Sequence, residues 1–174
     1  MRAGHKRDCS IDGTEFLLRM ALIEDVESLA HLRWNLCTDD APDADPFEKL
    51  KFIEAFKDAL PKISEPGHIV QFVAEIEKSI VSALSVVKVP KIPSPDDLKG
   101  CWGYLTNVYT LPEFRNKRIG TALLAHARHW AESQQMELLV VWPSDRSYPF
   151  YERAGFCREQ REQDPLVLIL GTQG

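Results

Sequence analysis

Tyr109-Thr110-Leu111-Pro112-Glu113-Phe114-Arg115-Asn116-Lys117-Arg118-Ile119-Gly120-Thr121-Ala122-Leu123-Leu124 joins two kinds of structure. Upstream, Trp102 to Leu111 is rich in β-branched and aromatic residues and reads as a strand. Downstream, Ile119, Leu123, Ala127 and Trp130, with Ala122 and Ala131 beside them, lay one apolar stripe along a helix over Arg118 to Gln134. Pro112 stops the strand, and the basic turn from Arg115 to Arg118 carries the chain into the helix. At such a junction the first N–H groups of the helix have no partner within it, and the helix dipole adds positive potential, so the turn suits phosphate oxygens. Gly120, Thr121 and Ala122 are small enough to let an anion reach the backbone. A phosphorylated ligand is the first expectation. A plain strand-to-helix turn with a solvated basic cluster explains the same residues.

Working outward, Thr14 to Ala21 reads as a strand, and Val26, Leu29, Ala30, Leu32 and Leu36 recur at helical spacing. Phe47 to Leu60 makes a second helix, capped by Asp45, opened by Pro46 and expected to end at Pro61. Ile69 to Ile76 and Ser79 to Val89 form a hairpin about Glu77-Lys78, and the proline-rich stretch 90–100 is a surface loop. After the helix of the quoted stretch, Glu137 to Trp142 reads as a buried strand and Ser144 to Ala154 as a short helix ended by Gly155; Phe156 to Arg161 and Leu166 to Leu170 close as a hairpin. The order β, α, α, β, β, β, α, β, α, β, β mixes hairpins with one crossover. It predicts an α/β (α+β) fold with a single mixed, mostly antiparallel central sheet of about seven strands, flanked by about four helices.

One domain is expected over residues 14–170, preceded by a flexible tail over 1–13, from 174 residues that are 44% hydrophobic and 27% charged. A formal charge of −5 gives no basic excess for a nucleic-acid backbone. The four cysteines, Cys9, Cys37, Cys101 and Cys157, stand apart with no CxxC pair and no His/Cys spacing that reads as zinc. Free thiols, a polar start with no leader and apolar runs too short to span a bilayer point to a soluble cytoplasmic protein, with no metal, nucleic-acid or membrane partner expected. A homodimer remains open as the assembled state.

A second constellation, Pro143 to Phe156, follows the strand that ends at Trp142. With Pro112-Glu113-Phe114-Arg115 and Ile119-Gly120, the later run Phe150-Tyr151-Glu152-Arg153-Ala154-Gly155-Phe156 resembles the GNAT superfamily of acyl-CoA-dependent N-acyltransferases. Two motifs in the right order and at about the right separation are more specific than either alone, and the element order over roughly residues 14–170 also fits the GNAT-like fold. Two departures stand out. Arg118 occupies the place where the family usually has the first glycine of its loop, and Ser144, seven residues before Tyr151, stands where an asparagine is frequent, with Ser147 where alanine is common.

The resemblance implies acetyl-CoA as co-substrate, with an amine acceptor whose nitrogen attacks the thioester directly. It implies a coenzyme A site made of Arg115, Asn116, Lys117, Arg118, Ile119, Gly120 and Thr121 around the pyrophosphate, main-chain groups of Val108, Tyr109 and Thr110 at the thioester and pantetheine, and Ser144 and Ser147 toward the pantetheine arm. Tyr151 matches the family's general acid, and a phenol with an ordinary pKa near 10 is suited to protonate a departing thiolate. The base has no fixed place in the family; Glu75 and Asn107, the latter through an ordered water, are the candidates. A primary amine is expected, more readily a small molecule than a peptide. The alternative is a non-catalytic acyl-CoA-binding sensor or interaction domain. A nucleotide site lacks its Walker pattern, Gly-x4-Gly-Lys-Ser/Thr.

The acidic run Asp39-Asp40-Ala41-Pro42-Asp43-Ala44-Asp45 falls where the family builds its acceptor pocket, and it would attract a cationic amine or simply be solvated loop. Arg33 and Trp34 could line the same pocket, with core packing expected for Trp34. His126, His129 and Glu132 share one helical face and are expected to be solvated rather than metal-binding.

Overall fold

A computed structural model describes residues 6–11, 13–39, 45–64 and 67–157. The chain divides into two compact units, Met1–Trp142 and Pro143–Gly174, each treated by itself. The first carries a six-stranded sheet whose spatial order is its sequence order: β1 (Arg7–Ile11), β2 (Thr14–Met20), β3 (Ile69–Ile76), β4 (Ser79–Pro90), β5 (Cys101–Thr110) and β6 (Leu139–Val141). Every neighbouring pair is antiparallel except β5 and β6, which run parallel. Helices α1 (Val26–Thr38) and α2 (Pro46–Ser64) intervene between β2 and β3, α3 (Ile119–Ser133) crosses from β5 to β6, and α4 (Tyr148–Arg153) belongs to the second unit. The mixed, mostly antiparallel sheet with helices is the expected fold class, with six strands among the described residues instead of about seven.

The sheet separates two apolar layers because successive strand residues point to opposite faces. On β3, Phe72 meets α3, where its ring lies 5.3 Å from Trp130 and 5.8 Å from His126. Its neighbour Val73 joins Leu29 and Leu32 of α1, Leu60 of α2, Ala83 of β4 and Tyr109 of β5 in a second cluster on the other face. Phe72 and Val73 are wholly buried. Burial of a side chain such as Phe72 stabilises by about 2–3 kcal/mol. The α3 stripe is placed as the sequence predicts, with Ile119, Leu123, Ala127, Trp130 and Ala131 all buried.

Four local expectations change. Residues 7–11, assigned to a flexible tail, form edge strand β1, with Ile11 paired to Thr14. The two-residue connection is Asp12-Gly13, a strong hairpin signal, and Gly13 takes φ 78°. An edge strand draws its stability from ladder hydrogen bonds and needs little apolar content. Helix α2 runs through Pro61 to Ser64, because a proline this near the C-terminal end removes only one late ladder bond. β6 spans only Leu139–Val141 and is half-buried instead of a buried strand over Glu137 to Trp142. His126 is buried against Phe72, while His129 stays exposed. The closing hairpin, Phe156 to Arg161 with Leu166 to Leu170, lies outside the described residues apart from Phe156 and Cys157.

Two features shape the end of the sheet. Gly103 lets β6 close on β5, since a Cβ there would stand 2.5 Å from Leu139 Cδ2 and 3.1 Å from Val86 Cγ1. Parallel pairing stops at Leu105 with Val141, yet β5 continues to Thr110. Over the same stretch the β4–β5 register shifts between Ala83 and Ser85, and Asn107 takes φ 55°. The shift is a bulge, which bends the strand and increases its twist.

Candidate active site at the strand-to-helix turn

Leu111 donates its N–H to Val81 O at 3.0 Å, so the alternation of an antiparallel ladder turns the peptide groups of Thr110 away from β4. Thr110 O accepts from Arg115 Nε at 2.9 Å, consistent with that direction. Tyr109 O faces β4, where Ser82 Oγ donates to it at 2.9 Å. Of the three main-chain positions expected to bind ligand, Thr110 is thus turned out of the β4 ladder, whereas the Tyr109 carbonyl is engaged within it.

After Leu111 a single 3-10 turn over Pro112–Phe114 delivers the chain to Arg115. Asn116 and Arg118 then adopt left-handed backbone, with φ 62° and 58°. Asparagine tolerates this region, but for arginine it carries a strain of roughly 1–2 kcal/mol. Glycine avoids that strain, which is the physical reason for a glycine at this position and makes Arg118 a costly departure from it. The kink sets Arg118 as the cap residue of α3, with its carbonyl accepting from Ala122 N–H at 2.9 Å. The N–H groups of Lys117 through Thr121 take no backbone partner among the described residues. They converge at the positive end of a 15-residue helix.

The basic side chains of the turn do different things. Arg118 is exposed and makes no ion pair among the described residues. Lys117 Nζ lies 5.2 Å above the Phe114 ring. Arg115 is committed elsewhere: its Nη2 donates to both Asp39 oxygens at 2.9 and 3.1 Å, and its guanidinium stacks 5.1 Å over the Tyr109 ring. Tyr109 Oη also donates to Asp39 Oδ1, at 3.1 Å. Burial pushes the Tyr109 phenol pKa up, and Asp39 adds to the rise, so the hydroxyl stays protonated. Asp39 likewise holds the Arg115 guanidinium protonated against partial burial. Asp39 is therefore a structural anchor; Asp40 and Asp43 lie outside the described residues, and Asp45 caps α2 by accepting from Phe47 N–H at 2.9 Å.

The two base candidates are not brought together. Glu75 is bound by Arg19, whose Nε donates to it at 2.8 Å and which also contacts Asp25. Asn107, at the bulge, donates through Nδ2 to Ser85 Oγ at 3.3 Å, and Ser85 Oγ donates to Gln71 Oε1 at 2.6 Å. Gln71 and Glu75 share a face of β3 but stand about 13 Å apart along the strand. Asn107, Ser85 and Gln71 line a cavity of about 10 Å³ with Arg33, Leu29, Leu32, Phe56 and Ala83. That volume holds about one water-sized group. Sequence reasoning missed Gln71 and Ser85, whose polarity on strands otherwise facing the core was the available signal. Trp34 packs on Phe52 at 5.5 Å, in keeping with a core role.

In the second unit, α4 ends in a paired cap: Gly155, at φ 91°, donates to Glu152 O and Phe156 N–H to Tyr151 O. Tyr151 packs edge-on against Phe150 at 5.0 Å and Phe156 at 5.6 Å. Ser144 and Ser147 bond to each other, Oγ to Oγ at 3.0 Å, across the turn before α4. Among the described residues no cluster of three or more His, Cys, Asp or Glu is placed to hold a metal ion, and no helix is long and apolar enough to cross a membrane.

A parallel pair that ends at Leu105 and Val141, a left-handed turn and open amides at a helix N-terminus together form a site suited to a phosphorylated co-substrate. The family model of the acetyltransferase (GNAT) family matches residues 26–156, and the chain belongs to that family. Acetyl-CoA is accordingly its co-substrate. The fold is similar to that of a predicted acetyltransferase of Clostridium acetobutylicum solved with acetyl-CoA, at 22% identity and TM-score 0.66 over 87% of this chain and 96% of that one. A GCN5-related N-acetyltransferase from Ralstonia eutropha matches at 21% identity and TM-score 0.67, over 87% and 98% of the two chains. An acetyltransferase of Trypanosoma brucei matches at 23% and 0.65, over 88% and 99%. No curated protein shows a significant match.

Proposed function

We propose that this enzyme transfers the acetyl group of acetyl-CoA to the primary amine of a small molecule by direct attack, with Tyr151 as general acid. The observation that carries the reading is the row of open N–H groups from Lys117 to Thr121 at the head of α3, next to the free cation Arg118. These groups fit a pyrophosphate: the backbone supplies donors, and Arg118 and Lys117 supply charge for phosphate oxygens. Asn116 and Ile119 shape the turn, and Gly120 and Thr121 keep its inner wall low. Arg115 serves a different end, fixing Tyr109 and Thr110 through Asp39 so that the outward peptide of Thr110, with Val108 beside it, faces the pantetheine and thioester. Ser144 and Ser147 are the side chains offered to the pantetheine arm.

On the acceptor side Asn107 is the group that meets the substrate, through the cavity it shares with Ser85 and Gln71. Glu75 is engaged by Arg19, and no carboxylate among the described residues lines that cavity, so the ammonium proton leaves to solvent as the amine docks. Attack forms the C–N bond and the C–S bond breaks; the Tyr151 hydroxyl gives its proton to the leaving thiolate, and the proton shed by the attacking nitrogen passes to water, from which the Tyr151 hydroxyl is restored. Calorimetry with coenzyme A and a thiol-release assay over a panel of amines test the reading. Binding together with amine-dependent thiol release is expected. Binding without release from any amine would identify a sensor, and absence of binding would remove the coenzyme A site.

A further inference from the structure

The cavity beside Asn107 has a definite hydrogen-bonding character. Among the described residues four polar side chains line it, Arg33, Gln71, Ser85 and Asn107, and no carboxylate does. Their internal bonds engage each acceptor once: Gln71 Oε1 takes the Ser85 hydroxyl proton, Ser85 Oγ takes an Asn107 Nδ2 hydrogen, and Asn107 Oδ1 faces Thr106 Oγ1 at 3.5 Å. The donors without a partner in these bonds are the Gln71 amide hydrogens, the second Asn107 amide hydrogen and the guanidinium of Arg33, the one charged group of the lining among the described residues. Arg33 is half-buried on α1 and forms no ion pair among the described residues.

A half-buried cation is stabilised by an anion in reach, and the other described linings offer it none. The walls are Leu29, Leu32, Phe56 and Ala83, so the local dielectric is low and a charge-assisted bond formed there is strong. The space admits one oxygen-sized group. Asn107 places this donor set at the β5 bulge, beside the stretch of strand that β6 leaves unpaired.

Resting on the acyl transfer proposed above, we propose that the acceptor is an amine that also carries an anionic group, carboxylate or phosphate, and that one oxygen of that group enters this cavity and is held by Arg33, Gln71 and Asn107. Arg33 is the specificity-determining residue. The run of aspartates after α1 suggests instead a purely cationic acceptor, but its anchored member, Asp39, is neutralised by Arg115.

The test compares matched amines that differ only in the anionic group: glycine against glycinamide, and phosphoethanolamine against ethanolamine. Thiol release and calorimetric binding to the coenzyme A-loaded protein are measured for the wild type, Arg33→Gln and Arg33→Lys. A preference of about 10–100-fold for the anionic member of at least one pair is expected, lost in Arg33→Gln and partly kept in Arg33→Lys. The pair that shows it identifies the anion as carboxylate or phosphate. Equal or better binding of both neutral members, or an unchanged preference in Arg33→Gln, would overturn the proposal. Loss of the acyl-transfer reading itself would show as no thiol release from any amine, or as failure to bind coenzyme A, while calorimetric binding of the anionic and neutral probes, measured also on the protein without coenzyme A, still decides the role of Arg33.

Discussion

Arg115 Nη2 sits 2.9 Å from Asp39 Oδ1, joining the turn before α3 to the C-terminal end of α1 across 76 residues of sequence. The same carboxylate accepts from Tyr109 Oη, so three residues from α1, β5 and the turn lock together. This anchor commits Arg115 Nη2 to Asp39 and, with Arg115 Nε on Thr110 O, ties the end of β5 to the turn.

Asp39→Asn is expected to lower stability by about 1–3 kcal/mol in denaturant melts, because it leaves Arg115 and Tyr109 with a weaker acceptor in a half-buried place. A double-mutant cycle with Arg115→Gln should show coupling, since both changes break one interaction. The Tyr109 phenol, held up first by burial and then by Asp39, should titrate lower in Asp39→Asn. Additive losses and an unmoved phenol would show that the anchor contributes nothing.

Arg118→Gly relieves left-handed strain and should raise stability by about 0.5–1 kcal/mol, after allowance for the flexibility that glycine adds to the unfolded chain. Arg118→Ala keeps the strain and removes the charge. Weaker coenzyme A binding in both variants, with a shallower salt dependence, is expected from calorimetry. Equal affinity in all three proteins would place the side chain away from the phosphates.

Arg19 is buried between Asp25 and Glu75, which predicts a pH dependence. Burial alone would raise the Asp25 pKa, but hydrogen bonds from Arg19 and the Leu22 N–H, with the Arg19 charge, outweigh it and the net shift is downward. Asp25 thus holds fewer protons in the folded than in the unfolded chain at a given acidic pH. Its contribution is complete above the unfolded value of about 3.9 and is lost as pH falls through the lower folded value. Stability measured from pH 6 down to 2 should fall less steeply at the acid end for Asp25→Asn, which starts from a lower plateau.

Tyr151→Phe should reduce kcat by roughly 10²–10⁴-fold while leaving the coenzyme A dissociation constant within about twofold, since only the proton for the thiolate is removed. Circular dichroism checks that the Phe150 and Phe156 packing survives. A kcat that stays at the wild-type value would remove Tyr151 from the chemistry.

The strand, turn and helix around Arg115 to Thr121 were legible because they rest on local rules: proline stops a strand, small residues open a turn, and a 3.6-residue stripe makes a helix. The paired motifs around Ile119-Gly120 and Tyr151 carried the family, and Asp45 was readable as a cap. Edge strand β1 is signalled by Asp12-Gly13 alone, because its own, mostly polar residues carry little apolar alternation. What the chain alone could not settle was which partner each charge would find. Glu75 as a base, Arg115 as a phosphate ligand and Asp39 as an attractor of amines are each reasonable for an isolated side chain. The fold engages all three, Glu75 with Arg19 and Arg115 with Asp39, while Arg118 of the turn and the half-buried Arg33 make no ion pair among the described residues. Ion pairs form between residues far apart in sequence and depend on distances of a few ångströms, so only tertiary structure decides them.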